Sequence, residues 1–501
     1  KANDRIRANG AELRARVVGE GGNLGMTQLG RVEAALHGVR LNTDAIDNSA
    51  GVDTSDHEVN IKIALDGLVR SGRLDAEARS GLLASMADTV AGQVLQDNYG
   101  QNVVLGNARA GSPALVTVHQ RMVRELERTG VLNRALEFLP DDDEFRARRQ
   151  VGGGLSGPEL AALLAYSKIS LTSALAETTL ADEPYFRSAL QRYFPPELVD
   201  LLGEGIEQHP LRAQIVTTVV VNRLVNLAGI TFVFRAMEET GASAADVVRA
   251  AWAAIEIFGL YDLWDQINAL DNIVPTVTQT ALHLEARRLL DRATRWFLQT
   301  RGGALDVQRE VERFGPIVDA YAAGVPGSLL GNERERLARN AERFVAIDAP
   351  VALAERVAAG LDVFALLDIT DACLRSGEDA SSVVPLYFAT SERFDVDRTL
   401  VRITALPRGD RWSSLARQAL RSDLYAAVAG LASGILGSTS RDLPAPDRLA
   451  RWEAAHAEGV SRARSTLDDI GAVDEPDLAT LSVALRAMRN LVAQGETTAS
   501  G

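Results

Sequence analysis

Between Asn42 and Glu58 (NTDAIDNSAGVDTSDHE) stand two side-chain amides, four hydroxyls and five carboxylates, around the small-residue turn Ser49-Ala50-Gly51. An amide donates and accepts through one group, so Asn48 suits a nicotinamide carboxamide or a ribose hydroxyl. The missing side chain at Gly51 lets a flat ring come close to the backbone. Ser55, read as the start of a helix, places a hydroxyl beside free N–H groups and a positive dipole end, where a carboxylate is welcome. A second turn, Gly19-Glu20-Gly21-Gly22-Asn23-Leu24-Gly25, lies upstream, with Asn23 as another amide. Its glycines fit the dinucleotide spacing imperfectly, because the third should fall at Leu24. Three readings are open for it: a phosphate-binding turn, a tight turn closing a strand, or a later strand end facing a nicotinamide. The amide loop favours the third, since ligands of open α/β sheets bind beyond the carboxyl ends of strands.

The elements that must hold these loops come from residues 1–66. Ala15 to Val18 and Val39 to Leu41 read as short strands. Between them Thr27 to His37 has helical spacing, stopped by Gly38, and Thr54 or Ser55 can cap a further helix. Strand, helix, strand, loop, helix is a piece of a doubly wound parallel sheet. Two strands are too few for one, so the rest is expected upstream; Lys1 is read as an internal start.

Composition bounds the remainder. The 501 residues are 46% hydrophobic but only 5% aromatic, which favours long helices over a sandwich or barrel. A formal charge of −14 repels phosphate backbones and anionic lipid, so no nucleic-acid partner and no membrane partner are expected. Cys373 is the only cysteine; it excludes an internal disulfide and suits a reducing cytoplasm. Lysine occurs only at Lys1, Lys62 and Lys168, which leaves 53 − 3 = 50 arginines and three candidates for lysine chemistry.

From Asp66 onward the signals are helical. Ser156-Gly157-Pro158-Glu159 is a capping box ahead of LAALLAY, and Pro275 opens a helix reaching about Gln299. Ile215 to Phe234 is long enough to span a bilayer, but Asn222, Arg223 and Asn226 make it a buried helix of a large protein. The six histidines show no metal spacing, and no metal site is expected. Arg287, Arg288, Arg292 and Arg295 share a helix with Glu285 and Asp291, so local salt bridging accounts for them, although a small acid could use the same patch. The chain is read as ending in a polar stretch, a helix near Leu478 to Ala493 and a disordered-looking tail.

Glu20-Gly21-Gly22-Asn23 with Thr27, then Asp44, Asn48-Ser49-Ala50-Gly51-Val52, Ser55 and Glu58, resembles the end of the coenzyme domain of glutamate dehydrogenases. The small members read E-G-A-N-x-x-x-T and P-D-x-x-x-N-A-G-G-V-x-x-S-x-x-E. The wording here is more similar to the large bacterial NAD-dependent enzymes, and the likeness continues through DNYGQN, GGGLSGPELAALLAYSK, the YFP at Tyr193 to Pro195, HPLRAQI and LPRGDRW. The resemblance implies oxidative deamination of L-glutamate to 2-oxoglutarate and ammonium, with NAD as hydride acceptor. It implies that Asn48, Asn23 and Gly22 border the cofactor, that Ser55 contacts the substrate side-chain carboxylate, and that Glu20, Asp44 and Glu58 brace the loops. Gly22 for Ala, Thr43 for Pro and Ser49-Ala50 for Ala-Gly depart from the small-member pattern.

The family's catalytic lysine and aspartate lie upstream of its coenzyme domain, and no catalytic residue is expected within these 501. The expected fold is mainly α: a large C-terminal helical domain, 67–440 with a sub-boundary near 152–154, preceded by the final strands and helices of a Rossmann-like α/β domain at 1–66. Residues 441–501 are read as loop, terminal helix and tail. The segment should be inactive alone, its partners being the upstream domains, glutamate and 2-oxoglutarate. The resemblance also implies a homo-oligomer that answers to amino-acid effectors or a regulatory protein. Two alternatives remain: a helical scaffold that kept a fold remnant, and a dehydrogenase of another amino acid.

Overall fold

The computed structural model describes residues 7–22, 25–302, 305–407 and 410–499, with side chains to 494. Lys1 and Asn23 lie outside the described residues. The chain is mainly helical and divides into two compact units, Lys1–Arg249 and Ala250–Gly501. The segment read as Rossmann-like thus shares a unit with a largely helical stretch, residues 67–249.

The two strands are not formed among the described residues. Where Ala15–Val18 and Val39–Leu41 meet there is one isolated parallel bridge, Val17 to Arg40. Val18 N–H donates to Arg40 C=O and Arg40 N–H to Arg16 C=O, both at 2.9 Å. A parallel pair needs neighbours on its flanks to extend into a ladder, and Val17 is 70% exposed. The helix expected between them forms as α1 (Gln28–Leu36), and Thr27 caps it, its Oγ1 accepting from Gly30 N–H at 3.1 Å. Ala34, Val39 and Leu41 form the small core beneath the bridge.

After one turn at Asp44–Asp47, helix α2 runs Ser49–Arg70. It begins at Ser49, not at the Thr54 or Ser55 expected to cap it, because the small residues 49–51 take helical geometry directly behind Asn48. Ser55 therefore lies in the second turn, where its hydroxyl donates back to Gly51 C=O at 3.4 Å. Helix α3 (Ala87–Arg128) is 42 residues long and contains Pro113. At that proline Gly154 comes so close that a Cβ would stand 2.4 Å from Ser112 Oγ. The Ser112 hydroxyl accepts from Leu155 N–H at 2.6 Å and donates to Leu155 C=O at 3.2 Å.

Helix α4 (Gly157–Ala176) starts with the Ser156/Glu159 capping box. Leu160, Leu163 and Leu164 are fully buried, each contributing roughly 1.5–3 kcal/mol of apolar burial. Gly157 abuts the second arm of the bridge, a Cβ there meeting Leu41 C=O at 2.5 Å. Tyr193 ends helix α5 (Arg187–Tyr193). The run Ile215–Phe234 is not one helix: α6 (Arg212–Ala228) stops at Gly229, which takes φ +102°, and a further helix, Phe232–Thr240, leaves at 87°. Only glycine adopts that backbone readily, and it lies hidden inside an apolar run. No single helix of the described residues is long and apolar enough to cross a membrane.

In the second unit, α7 (Thr276–Thr300) follows Pro275 as expected. The stretch after 441, read as loop, holds helices Ala445–Ala455 and Ala457–Gly471, anchored by buried Trp452 and by Arg448 on Glu378. The terminal helix Leu478–Ala499 continues past Ala493.

Candidate functional site

A buried guanidinium ties the two loops together. Arg31 projects from α1 with 5% exposure and makes a bidentate pair with Glu20, Nε to Oε1 at 2.5 Å and Nη2 to Oε2 at 2.9 Å. Its Nη2 also stands 3.2 Å from Asp44 Oδ1. The bonds and charge of Glu20, then Asp44, hold Arg31 above its ordinary pKa. Glu20 accepts from Met26 N–H at 3.1 Å, closing its own turn, and its backbone N–H donates to Asp47 Oδ2 at 3.0 Å. A fork of this kind is geometrically exacting, so the glycine turn is set against the amide loop.

The DNYGQN stretch of α3 grips the amide loop from the other side. Asn98 Nδ2 donates to Ile46 C=O at 2.8 Å and to Ser49 Oγ at 2.9 Å, and Gln101 Nε2 reaches Ser49 Oγ at 3.2 Å. Asn42 Nδ2 donates to Asn102 Oδ1 at 2.9 Å and to Asp47 Oδ1 at 3.1 Å. Asn48 is half-buried at the mouth of α2, and a Cβ on Gly51 would stand 3.0 Å from its Oδ1. A larger residue there would push that amide by a few tenths of an ångström. Gly22 is exposed, with open space where a Cβ would be.

Helix α2 has two faces of different character. Outward point Ser55, Glu58 and Lys62, with Val52 67% and Val59 53% exposed. Glu58 pairs with Lys62 one turn on and, among the described residues, reaches neither loop. Inward, Asp53, His57 and Asn60 recur at i, i+4 and i+7, which is one helical face. His57 is buried, its ring stacked on Tyr193 with centroids 4.2 Å apart and its Nε2 3.8 Å from Asp53 Oδ1. Asn60 Nδ2 donates to the Tyr193 hydroxyl at 2.9 Å, and His209 Nε2 lies 3.1 Å from Asn60 C=O.

Lys168, in the middle of α4, completes this inner network through its charge interactions with Asp97 and Asp53. Burial pushes the lysine down to about 8 against the pull of those two carboxylates. Burial, helped by Asp97 and Asp56, pushes Asp53 up to about 6. Asp97 is raised and His57 lowered by the same loss of solvent. Ligand atoms of Asp53, His57 and Asp97 lie within 4.8 Å of one another, a spacing a cation could bridge. Lys168 is the cation the chain itself supplies to those carboxylates.

Asp53 and Asp97 escaped the reading of the sequence, which took Lys168 as one of three lysines, His57 as one of six histidines and Tyr193 as part of a motif without joining them. The signal was present but scattered, since DNYGQN, AYSK, YFP and HPLR each supply one member of a network that joins residues over 100 positions apart.

The chain matches the family description "Bacterial NAD-glutamate dehydrogenase, catalytic domain" over residues 1–108 and "Glutamate dehydrogenase, C-terminal" over residues 152–490. The inner network draws Asp53, His57 and Asp97 from the first stretch and Lys168, Tyr193 and His209 from the second. It is 44% identical over 491 residues to an NAD-specific glutamate dehydrogenase of Mycobacterium tuberculosis. Enzymes of the same name from Pseudomonas aeruginosa and Halomonas elongata are 40% and 38% identical over the same length. In each case the alignment covers 98% of this chain but 30% of the relative, so the chain spans under a third of their length. With its C-terminal region matched across residues 152–490, the chain belongs to the family of large NAD-specific glutamate dehydrogenases.

Proposed function

We propose that this chain is part of an enzyme that oxidatively deaminates L-glutamate to 2-oxoglutarate and ammonium, and that it supplies one wall of the pocket for nicotinamide and substrate. Bound NAD would take the hydride released from the substrate α-carbon. The observation that carries the reading is the pair of loops locked by Arg31, which hold the Asn48 amide over Gly51 while Ser55 stays on the outer face of α2. On this reading Asn48 holds the carboxamide, Asn23 and Gly22 border the cofactor, and Ser55 donates to the substrate side-chain carboxylate. Glu20 and Asp44 fix the loops through Arg31. The inner network fixes the rotation of α2 and so the direction in which Ser55 points.

Residues 1–66 are on this reading the end of a Rossmann-like coenzyme domain, with 67–440 a helical C-terminal domain and 441–501 its appendage. The exposed Val17, Val52 and Val59 suit a surface that other parts of the protein cover. A single buried cysteine suits the cytoplasm. A homo-oligomer with amino-acid or protein regulators completes the proposal. Ser55→Ala in the full-length enzyme tests it: loss of one hydrogen bond to a charged group should raise the KM for glutamate about tenfold or more and leave that for NAD near its starting value. Unchanged glutamate kinetics would remove Ser55 from the pocket.

A further inference from the structure

The inner face of α2 brings together more than its hydrogen bonds account for. Asp53 and His57 stand at i and i+4, the spacing at which two helical side chains can share one ion, and Asp97 reaches the same point from α3. One imidazole nitrogen and one oxygen of each carboxylate lie within 4.8 Å of one another. Among the described residues neither carboxylate accepts a hydrogen bond or pairs with a lysine or arginine within 4 Å. Two acids are thus held side by side with no donor between them, and their repulsion calls for a cation in contact with both.

His57 is the second sign. It is 2% exposed, makes no hydrogen bond among the described residues, and its Nδ1 is buried without a partner. Its Nε2 faces Asp53 Oδ1 at 3.8 Å, too far for a hydrogen bond, so the stack on Tyr193 alone orients the ring. Burial lowers its pKa, which keeps the imidazole in the neutral form that ligates metals.

The chain's own cations stand too far off to do this. Lys168 acts on both carboxylates and Arg223 on Asp97, all from beyond 4 Å, while Asp56 adds a further negative charge beside Asp53. Lys168 is half-buried, and its four-carbon stem lets the ammonium turn outward. A divalent ion balances both carboxylates at once, and an imidazole among the ligands favours zinc over magnesium or calcium. The spacing of the histidines hides the site because two of its three ligands are aspartates. We propose that Asp53, His57 and Asp97 bind a divalent transition-metal ion of the zinc type, which takes over from the Lys168 ammonium and staples α2 to α3. The site lies on the face of α2 turned away from Ser55, and its metal binding is measured without glutamate turnover.

Calorimetric titration of the full-length protein, first stripped with a chelator, with zinc chloride tests this directly. At least one zinc per chain should bind with a dissociation constant below about 10 μM, and magnesium chloride about a hundredfold more weakly. Asp53→Asn and Asp97→Asn should each weaken that zinc by about tenfold or more. Lys168→Met removes the competing cation and should tighten zinc severalfold, the opposite of what loss of a structural ion pair brings. Cobalt(II) should give the intense visible bands of a tetrahedral site in the parent and lose them in Asp97→Asn. His57→Gln also deletes a ligand; if circular dichroism shows that losing the Tyr193 stack unfolds it, the two aspartate variants carry the test. No saturable zinc in that range, zinc affinity unchanged in both aspartate variants, magnesium as tight as zinc, or weaker zinc in Lys168→Met would each overturn the assignment.

Discussion

Replacing Arg31 by Met tests whether the loops are held as described. The methionine keeps the apolar stem in α1 but leaves the Glu20 carboxylate almost fully buried, with Met26 N–H as its remaining donor among the described residues. Removing one partner of such a pair costs about 3–5 kcal/mol, because the remaining charge has lost its compensation. Asp44, whose side chain is 18% exposed, is partly solvated and adds less. For a unit of roughly 250 residues, each kcal/mol shifts the midpoint by about 2–4 °C, so thermal unfolding of the first unit should move down by about 6–20 °C. The double variant Glu20→Gln/Arg31→Met removes the stranded charge and should recover at least ~1 kcal/mol relative to Arg31→Met alone. The KM for NAD should rise in the single variant, since Asn48 is positioned through the same bridge. A midpoint within about 2 °C of the parent, or a double variant no more stable than the single one, would refute the loop-locking role.

Three further outcomes can be measured separately. Gly157→Ala drives a Cβ into Leu41 C=O and should cost about 1–3 kcal/mol in unfolding experiments, far more than an alanine at the open Gly81 position. Tyr193→Phe removes the hydroxyl that accepts from Asn60 but keeps the ring on His57; a loss of about 1 kcal/mol is expected, whereas Tyr193→Ala should lose several times that. Glu333 is pushed up to about 7 from 4.5 by burial, so the native state binds more protons than the unfolded one between those values. Its contribution to stability is therefore greatest below about pH 4.5, declines as pH rises, and levels off above about 7, by about 3 kcal/mol in all. Glu333→Gln should flatten that slope in denaturant titrations at stepped pH.

What could be read from the residues was local. The Ser156/Glu159 box, the helix between Thr27 and His37 and the Pro275 start each depend on neighbours three or four positions away, and each is formed. The strands failed because pairing is a property of partners, and among the described residues Val17 meets Arg40 alone. The break at Gly229 was concealed by the apolar residues around it, and α2 began early because Ser49-Ala50-Gly51 suits a first helical turn as well as a loop. In the site, the amide loop stood out by composition, whereas its support did not. Lys168 and Asp97 are 71 residues apart, and only the packing of α4 against α3 makes them neighbours.

Helix α3 has a mechanical consequence. At roughly 1.5 Å per residue its 42 residues span about 63 Å, and about 35 Å of it separates Asn98, which grips the amide loop, from Arg121, which is clamped on Glu238 at 2.9 Å. Pro113 is the natural joint of this rod, where a missing backbone hydrogen bond invites bending. Ser112, laced to Leu155 by two hydrogen bonds with Gly154 pressed against it, splints that joint from outside. A displacement at the loop end is then carried lengthwise to the Arg121 end instead of being absorbed at the proline, and the stiffness of the whole rod rests on the absence of one methyl group at Gly154.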